Sequence, residues 1–222
     1  INTVMSKMLI VTGGHLDIDW AKEWLSDKMF DYCIAADSGL AYADRLGLKI
    51  DFLLGDYDSV DANVLERYKK QVDFKVYPKE KDYTDTHLAI ITAVKKGATD
   101  IYILGATGNR MDHTLTNIGN MKAAFDCGVD CHIIDENNYM YLISEKTGTH
   151  VIGRDTQYGR YVSLVPMSEE VVVTLKGFKY TLNEYCLKQG LSICQSNEVA
   201  EDEAEIIIHK LSLIHISEPT RH

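Results

Sequence analysis

The 222-residue chain has three prolines, two tryptophans and no apolar run near the roughly 20 residues that cross a bilayer. No secretory signal is recognisable, so we expect no membrane partner. Basic residues are also scarce, because 23 Lys and Arg are set against 33 Asp and Glu, for a net charge of -10. That balance disfavours a nucleic-acid partner, which needs a basic surface.

Cysteine is sparse and odd in number, with five residues scattered along the chain. Cys127 and Cys131 form the one near pair, and no second pair of ligands stands at a spacing typical of zinc sites. We therefore expect reduced thiols that pack as small hydrophobic groups, and a cytoplasmic protein.

Apolar runs alternate with helical patterns over the first two-thirds of the chain. This order predicts an α/β domain with a mostly parallel, Rossmann-like sheet and flanking helices. The expected strands are residues 8–12, 32–36, 52–54, 74–77, 100–104 and 129–134. The expected helices are residues 18–28, 40–46, 63–70, 84–96 and 113–125. Trp20 and Trp24 lie one helical turn apart, which favours a helix face packed on the sheet over stacking on a cofactor.

The pattern of predicted elements changes after about residue 145, where short strands separated by turns predict an all-β sandwich or barrel. These strands are expected at residues 151–152, 161–165, 171–175, 191–194 and 205–209. The predicted domains are therefore an α/β domain at 5–145 and a β-rich domain at 146–211. Residues 212–222 resemble the read-through product of a cloning or adaptor sequence, so we expect them to lie outside the fold.

Acidic residues are concentrated in loops that follow strands or begin helices. Asp56 and Asp58 follow the third strand two residues apart, so they can fork around one divalent cation, although a solvated acidic turn gives the same pattern. Asp82 and Asp85 surround Thr84 at a helix start, where an ordinary N-cap with an acidic first turn is an equal alternative. Since such loops converge at one edge of an open sheet, we expect a shared crevice.

A glycine turn follows the fifth strand at residues 105–110, and it ends in Asn109 and Arg110. Its backbone N–H groups and the guanidinium can bind phosphoryl oxygens, although no Walker motif is present. Asp112, His113 and Asn117 come next, on the following helix. Together with the acidic loops, this turn indicates a magnesium–nucleotide site.

Taken in order, these segments resemble the thiamin pyrophosphokinase family. The resemblance rests on AADSG at 35–39, LGDYDS at 54–59, KDYTD at 81–85, GATGNRMDH at 105–113 with Asn117, and SNE at 196–198. Asn109 replaces a glycine that is usual in the family, and His87 stands where bacterial relatives often carry an acid. The family layout, an α/β catalytic domain followed by a β-rich thiamin-binding domain, matches the predicted organisation.

The resemblance implies Mg²⁺-dependent transfer of pyrophosphate from ATP to the hydroxyl of thiamin, which gives thiamin diphosphate and AMP. It implies Asp56, Asp58 and Asp85 as magnesium ligands, with Arg110 stabilising phosphoryl charge and Asp112 orienting or deprotonating the hydroxyl. The residues expected around ATP and its phosphates are Asp37, Ser38, Ser59, Lys81, Asp82, Thr84, Gly105, Thr107, Gly108, Asn109, His113 and Asn117. Ser196 and Asn197 are expected at thiamin, in a homodimer with its site at the subunit interface.

Two alternatives stay open at the level of the sequence. A different magnesium enzyme, such as a sugar-nucleotide transferase or a phosphohydrolase, could use the same acidic loop. A non-catalytic thiamin or nucleotide sensor could also share the scaffold, although the complete set of motif carboxylates disfavours it.

Overall fold

The computed structural model describes residues 6–57, 60–76, 82–210 and 212–218, and the chain divides into two compact units, residues 1–136 and 137–222. Three of the predicted site residues, Asp58, Ser59 and Lys81, lie outside the described residues. In the described ranges, no helix is both long enough and apolar enough to cross a membrane.

The first unit alternates strands and helices, as the sequence predicts. Its strands are β1 (Lys7–Val11), β2 (Tyr32–Ala36), β3 (Phe52–Gly55), β4 (Asp73–Val76), β5 (Asp100–Leu104) and β6 (Asp130–Ile134). Its helices are α1 (Ile18–Leu25), α2 (Gly39–Arg45), α3 (Ala62–Lys69), α4 (Asp85–Lys95) and α5 (Met111–Phe125).

These six strands form a parallel array in the order β6-β5-β1-β2-β3-β4. The chain therefore builds outward from β1 through β2, β3 and β4, and then crosses to the other side of β1 to add β5 and β6. In such a sheet the crevice for a ligand opens where the strand order reverses, beyond the carboxyl ends of the strands. Here that point lies between β1 and β5.

Helix packing follows the apolar spacing of the sequence. In α4, Ala89, Ile90 and Ala93 are fully buried, and they lie on one helical face. In α1, the rings of Trp20 and Trp24 stack at 6.0 Å, and Trp24 also contacts Tyr102 of β5 at 6.2 Å. The tryptophans therefore pack against the sheet, which confirms the packing interpretation over cofactor stacking.

The second unit is all-β apart from a single 3-10 turn at Glu145–Thr147 in its described part. Its strands are β7 (Tyr139–Ser144), β8 (Thr149–Gly153), β9 (Tyr161–Pro166), β10 (Glu170–Lys176), β11 (Leu182–Lys188), β12 (Asn197–Glu198), β13 (Glu203–Lys210) and β14 (Ser212–Glu218). They pair antiparallel in two sets, β12-β9-β14-β7 and β11-β10-β13-β8. One apolar core includes Val162 and Leu213 from the first set and Val173 and Ile206 from the second. This sandwich confirms the predicted fold class.

Two strands correct the domain bounds drawn from the sequence. Tyr139–Ser144 belongs to the second unit, because β7 pairs antiparallel with β14. The segment expected outside the fold, residues 212–222, contains β14, which pairs with β7 on one side and β9 on the other. Leu213 and Ile214 are buried there, so the alternation of residues 213–217 supplies a strand whatever its origin.

The segment between β10 and β12 also differs from the prediction. Residues 191–194 form no strand, since Leu191 and Ile193 are about half exposed and only Cys194 is buried. A strand that was not predicted, β11, precedes these residues, and its polar first residues hide the alternating pattern expected of a strand. Its Glu184 has a positive φ of 45°, and the pairing with β10 shifts register next to it.

Removing residues 212–222 should destabilise the second unit severely, because β7 and β9 lose their shared neighbour. Each buried Leu or Ile removed from a core costs about 2–5 kcal/mol, and here two are lost with a full strand of hydrogen bonds. Thermal unfolding followed by circular dichroism, together with limited proteolysis, measures the change. Removing only residues 219–222 keeps β14 and is the matched control. An unchanged melting temperature in the longer deletion would show that β14 contributes nothing to folding.

Candidate active site

A cavity of about 830 Å³ opens at the carboxyl ends of β1, β2 and β5. The residues that line it are Thr12, Gly13, Gly14, His15, Asp37, Ser38, Tyr42, Asp82, Tyr83, Thr84, Asp85, Thr86, Ala106, Thr107, Gly108, Asn109, Arg110, Asp112, His113, Thr114, Thr116 and Asn117. Its position is the point where the strand order reverses, as expected for a ligand site in an open sheet.

Most of the catalytic and ATP-binding residues predicted from the sequence line this cavity. They are Asp37, Ser38, Asp82, Thr84, Asp85, Thr107, Gly108, Asn109, Arg110, Asp112, His113 and Asn117. Gly105 is not among the lining residues, but its carbonyl accepts a hydrogen bond from the N–H of the lining residue Gly14 at 2.7 Å. Asp56 is outside the lining but within electrostatic range of Asp37. Ser196 and Asn197 belong to the second unit.

The loop after β1 is fastened to the loop after β5 by backbone hydrogen bonds. Gly14 donates to Gly105, and His15 donates to the carbonyl of Thr107 at 2.7 Å. This approach requires a glycine, since a Cβ on Gly14 would lie 2.3 Å from the Thr107 oxygen and 2.4 Å from the Gly105 oxygen. Backbone hydrogen bonds and close packing at Gly14 therefore hold these two cavity-lining loops together.

Asp37 is the most unusual carboxylate in the site. It follows β2 with a positive φ of 48°, and its Oδ1 atom is buried without a hydrogen-bond partner. Burial raises the pKa of Asp37, and the neighbouring carboxylates of Asp85 and Asp56 raise it further. A buried carboxylate oxygen beside two other carboxylates is a suitable partner for a cation.

The donor chemistry around Asp37 fits a hard divalent ion, because Asp56 and Asp85 offer carboxylate oxygens. Among the described residues, however, no three His, Cys, Asp or Glu side chains are grouped closely enough to hold a metal ion. Asp58, the third predicted ligand, falls outside those residues. The predicted ligand set of Asp56, Asp58 and Asp85 therefore stays a prediction.

Two of the longer helices begin at the cavity. Helix α4 starts at Asp85, with Thr84 as its N-cap, and α5 starts at Met111 after Arg110. The partial positive charge of helix N-termini favours phosphate groups. This charge offsets part of the repulsion that Asp82 and Asp85 exert on an anion.

Arg110 and Asp112 form a two-point ion pair on the rim. Arg110 Nε donates to Asp112 Oδ1 at 3.2 Å and Nη2 donates to Oδ2 at 2.6 Å. This hydrogen bonding lowers the pKa of Asp112 and raises the pKa of Arg110. Both side chains are well exposed, so water screens the pair and a ligand can compete for the guanidinium.

Asn117 holds the site together from α5. The side chain is only 7% exposed, and its Nδ2 donates to the carbonyl of Ala106 at 2.8 Å. Thr107 is held as well, because its hydroxyl donates to the buried Asp135 at 2.7 Å. Both residues therefore shape the turn after β5, in addition to lining the cavity.

Several lining residues were not predicted from the sequence, among them Thr12, His15, Tyr42 and Thr86. The Gly13-Gly14 turn after β1 was a usable signal for the first two, since it marks the loop at the point where the sheet reverses. His15 also lies 3.4 Å from Glu136, measured from Nε2 to Oε1. Tyr42 and Thr86 occupy ordinary helical positions, which carry no such signal.

In the second unit, the side chain of Asn197 is hydrogen-bonded to the backbone of Tyr180, 17 residues earlier in the chain. It is 4% exposed; its Oδ1 accepts from the N–H of Tyr180 at 3.0 Å and its Nδ2 donates to the carbonyl of Tyr180 at 2.8 Å. Ser196 has a positive φ of 52° and an exposed side chain, while its N–H donates to Ser163. Of the two, Ser196 presents the more available polar side chain.

Replacing Gly14 with Ala should destabilise the first unit by about 1–3 kcal/mol, because the added methyl group overlaps two carbonyl oxygens. Gly119→Ala is the matched control, since a Cβ at this helical position of α5 meets open space. That change should stabilise the protein by about 0.5–1 kcal/mol. Urea unfolding compares the two, and equal stability would contradict the close contact between the loops.

Two family models match this chain. The model described as "Thiamin pyrophosphokinase, catalytic domain" matches residues 24–132, and "Thiamin pyrophosphokinase, vitamin B1 binding domain" matches residues 149–213. The first match falls within the unit that contains the cavity, and the second falls within the sandwich.

Whole-chain comparisons agree with these matches. The thiamine pyrophosphokinase of Bacillus subtilis is 35% identical over 185 residues, which cover 82% of this chain and 85% of that protein. A crystal structure of thiamine pyrophosphokinase from the same organism has a TM-score of 0.85 at 28% identity, over 97% of this chain and 100% of the other. The thiamin pyrophosphokinase structure from Geobacillus thermodenitrificans has a TM-score of 0.81 at 29% identity, over 96% and 98%. The chain therefore belongs to the thiamin pyrophosphokinase family of enzymes, which confirms the resemblance drawn from its motifs.

Proposed function

We propose that the cavity of the first unit is where the pyrophosphoryl group of ATP is transferred to the hydroxyl of thiamin, with release of AMP. The chain is an enzyme of a family whose substrates are ATP and thiamin. The observation that carries the assignment to this cavity is the convergence of three sequence motifs on it, through Asp37, Asp85 and Arg110.

Magnesium binding at this cavity is part of the proposal. Asp56 and Asp85 would supply carboxylate oxygens, with Asp58 as a third, and the unpartnered Oδ1 of Asp37 supports the presence of a cation nearby. When bound, Mg²⁺ neutralises charge on the phosphate oxygens of ATP. Without such a cation, the carboxylates of Asp37, Asp56 and Asp85 would repel the triphosphate.

The protein's own groups orient the phosphates. The N-terminal turns of α4 and α5 provide positive charge at the cavity wall. Arg110 would exchange part of its pairing with Asp112 for a phosphoryl oxygen, which stabilises charge that develops during transfer. Asp112, released from the guanidinium, could then accept a hydrogen bond from the attacking hydroxyl.

The finer features of assembly are also proposals. We propose a homodimer in which Ser196 and Asn197 contact thiamin, supported by the exposed side chains of Tyr180, Leu191 and Ile193 in the same region of the sandwich. A cytoplasmic location is supported by the five cysteines, all of which are free thiols.

Replacing Asp85 with Asn should lower turnover on the order of 100-fold, because a cation ligand is lost where negative charge must be neutralised. The measurement is AMP formed in step with thiamin diphosphate, across a magnesium titration. The control is Asp126→Asn, at the C-terminal end of α5, where the carboxylate pairs with exposed Lys122. Coupled AMP release at the normal rate from Asp85→Asn would exclude that carboxylate. Product formation by the unmodified chain without any divalent ion would exclude the metal.

Replacing Ser196 with Ala should raise the KM for thiamin about three- to tenfold while the KM for ATP changes little, since one ligand hydrogen bond is lost. Ser192→Ala, at another exposed position between β11 and β12, is the control. Equal shifts in both KM values would argue against contact between Ser196 and thiamin.

A further inference from the structure

The hydroxyl of Thr84 accepts two hydrogen bonds at the N-terminus of α4. As the N-cap, its Oγ1 accepts from the backbone N–H of His87 at 3.2 Å. The same oxygen accepts from Nδ2 of Asn120 at 3.1 Å. Asn120 lies on α5, outside the cavity lining, and no sequence motif indicated it.

These two bonds decide what Thr84 can still do. A threonine hydroxyl has two acceptor positions and one hydrogen to donate. Both acceptor positions are occupied by N–H donors, so the remaining capacity is the hydrogen itself. Among the described residues, the hydroxyl hydrogen has no acceptor, and Thr84 lines the cavity.

We propose that Asn120 is a positioning residue that makes the Thr84 hydroxyl a dedicated hydrogen-bond donor to a phosphoryl oxygen of ATP. This inference rests on the proposed function of the cavity. Phosphoryl oxygens act as acceptors when ionised, and they are favoured at a helix start. A hydroxyl free to rotate could instead present its lone pairs, which would repel the phosphate.

Helix α5 supports this role with a second amide one turn earlier. Asn117 donates to the carbonyl of Ala106, whereas Asn120 donates to Thr84, so two amides of one helix hold the loops on either side of the cavity. The helix thereby fixes the separation of the turn after β5 from the start of α4.

The opposite amide orientation gives a clear contrast. If Oδ1 of Asn120 faced Thr84, the amide would accept the hydroxyl hydrogen and remove it from the ligand. Asn120→Asp distinguishes the two arrangements, because a carboxylate can accept from Thr84 but cannot donate to it.

The experiment measures the KM for ATP, the KM for thiamin and kcat. Asn120→Ala should raise the KM for ATP about three- to tenfold, because the hydroxyl loses its orientation. Asn120→Asp should raise it further, by about tenfold or more, because the carboxylate captures the hydrogen. The KM for thiamin and kcat should change less than about twofold, as expected for a lost uniform binding interaction.

Two controls separate this effect from others. Gly119→Asp adds a carboxylate on the adjacent residue, in open space, and reports simple charge repulsion. In a Thr84→Val background, where no hydroxyl is left to orient, Asn120→Ala should have no further effect on the KM for ATP.

The proposal is overturned if Asn120→Asp is no worse than Asn120→Ala, if Gly119→Asp matches Asn120→Asp, or if the Thr84 and Asn120 effects add. Calorimetric titration with ATP on the same variants keeps this test independent of turnover. A wild-type chain that forms no thiamin diphosphate would refute the proposed function, while its ATP affinities would still decide the role of Asn120.

Discussion

The cavity depends on two backbone hydrogen bonds that join the loop after β1 to the loop after β5. Gly14 and His15 donate to Gly105 and Thr107, across the point where the strand order of the sheet reverses. These bonds occupy the carbonyls of Gly105 and Thr107, and they do not involve the N–H groups of the turn after β5, which are the groups expected to bind phosphoryl oxygens. The same bonds bring the start of α5 to its place on the cavity wall, since Arg110 follows directly after this loop.

Negative and positive charges oppose one another in the cavity. Asp56 and Asp85 each lie within electrostatic range of Asp37, and burial makes the repulsion at Asp37 stronger. The N-terminal turns of α4 and α5 and the guanidinium of Arg110 act in the opposite sense. In the proposed function, a triphosphate and a divalent cation together would balance this arrangement better than either would alone. The acidic lining also suits a cationic second substrate.

The sequence predicts the first unit well because its signals are local. Buried strands such as β2 are continuous apolar runs, and each acidic or glycine motif stands at the end of a strand or the start of a helix. Residues that act through distant partners were missed: nothing near Asn120 in sequence indicates its bond to Thr84, 36 residues away. Asn117 was predicted for its proximity to a ligand, yet its buried amide also holds the Ala106 carbonyl. In the second unit, the bulge at Glu184 made β11 hard to recognise from the sequence. The predicted domain boundary fell after β7 because that strand resembles in composition the strands before it.

The pairing of β7 with β14 determines the order in which the chain can be assembled. Strand β7 pairs with residues 212–217, which are synthesised only after all the other strands of the sandwich. All the described strands and helices of the first unit lie within residues 1–136, so this unit can form early during translation. Until β14 has been synthesised, β7 lacks this antiparallel neighbour. Chaperone dependence and aggregation during synthesis should therefore be concentrated in the second half of the polypeptide.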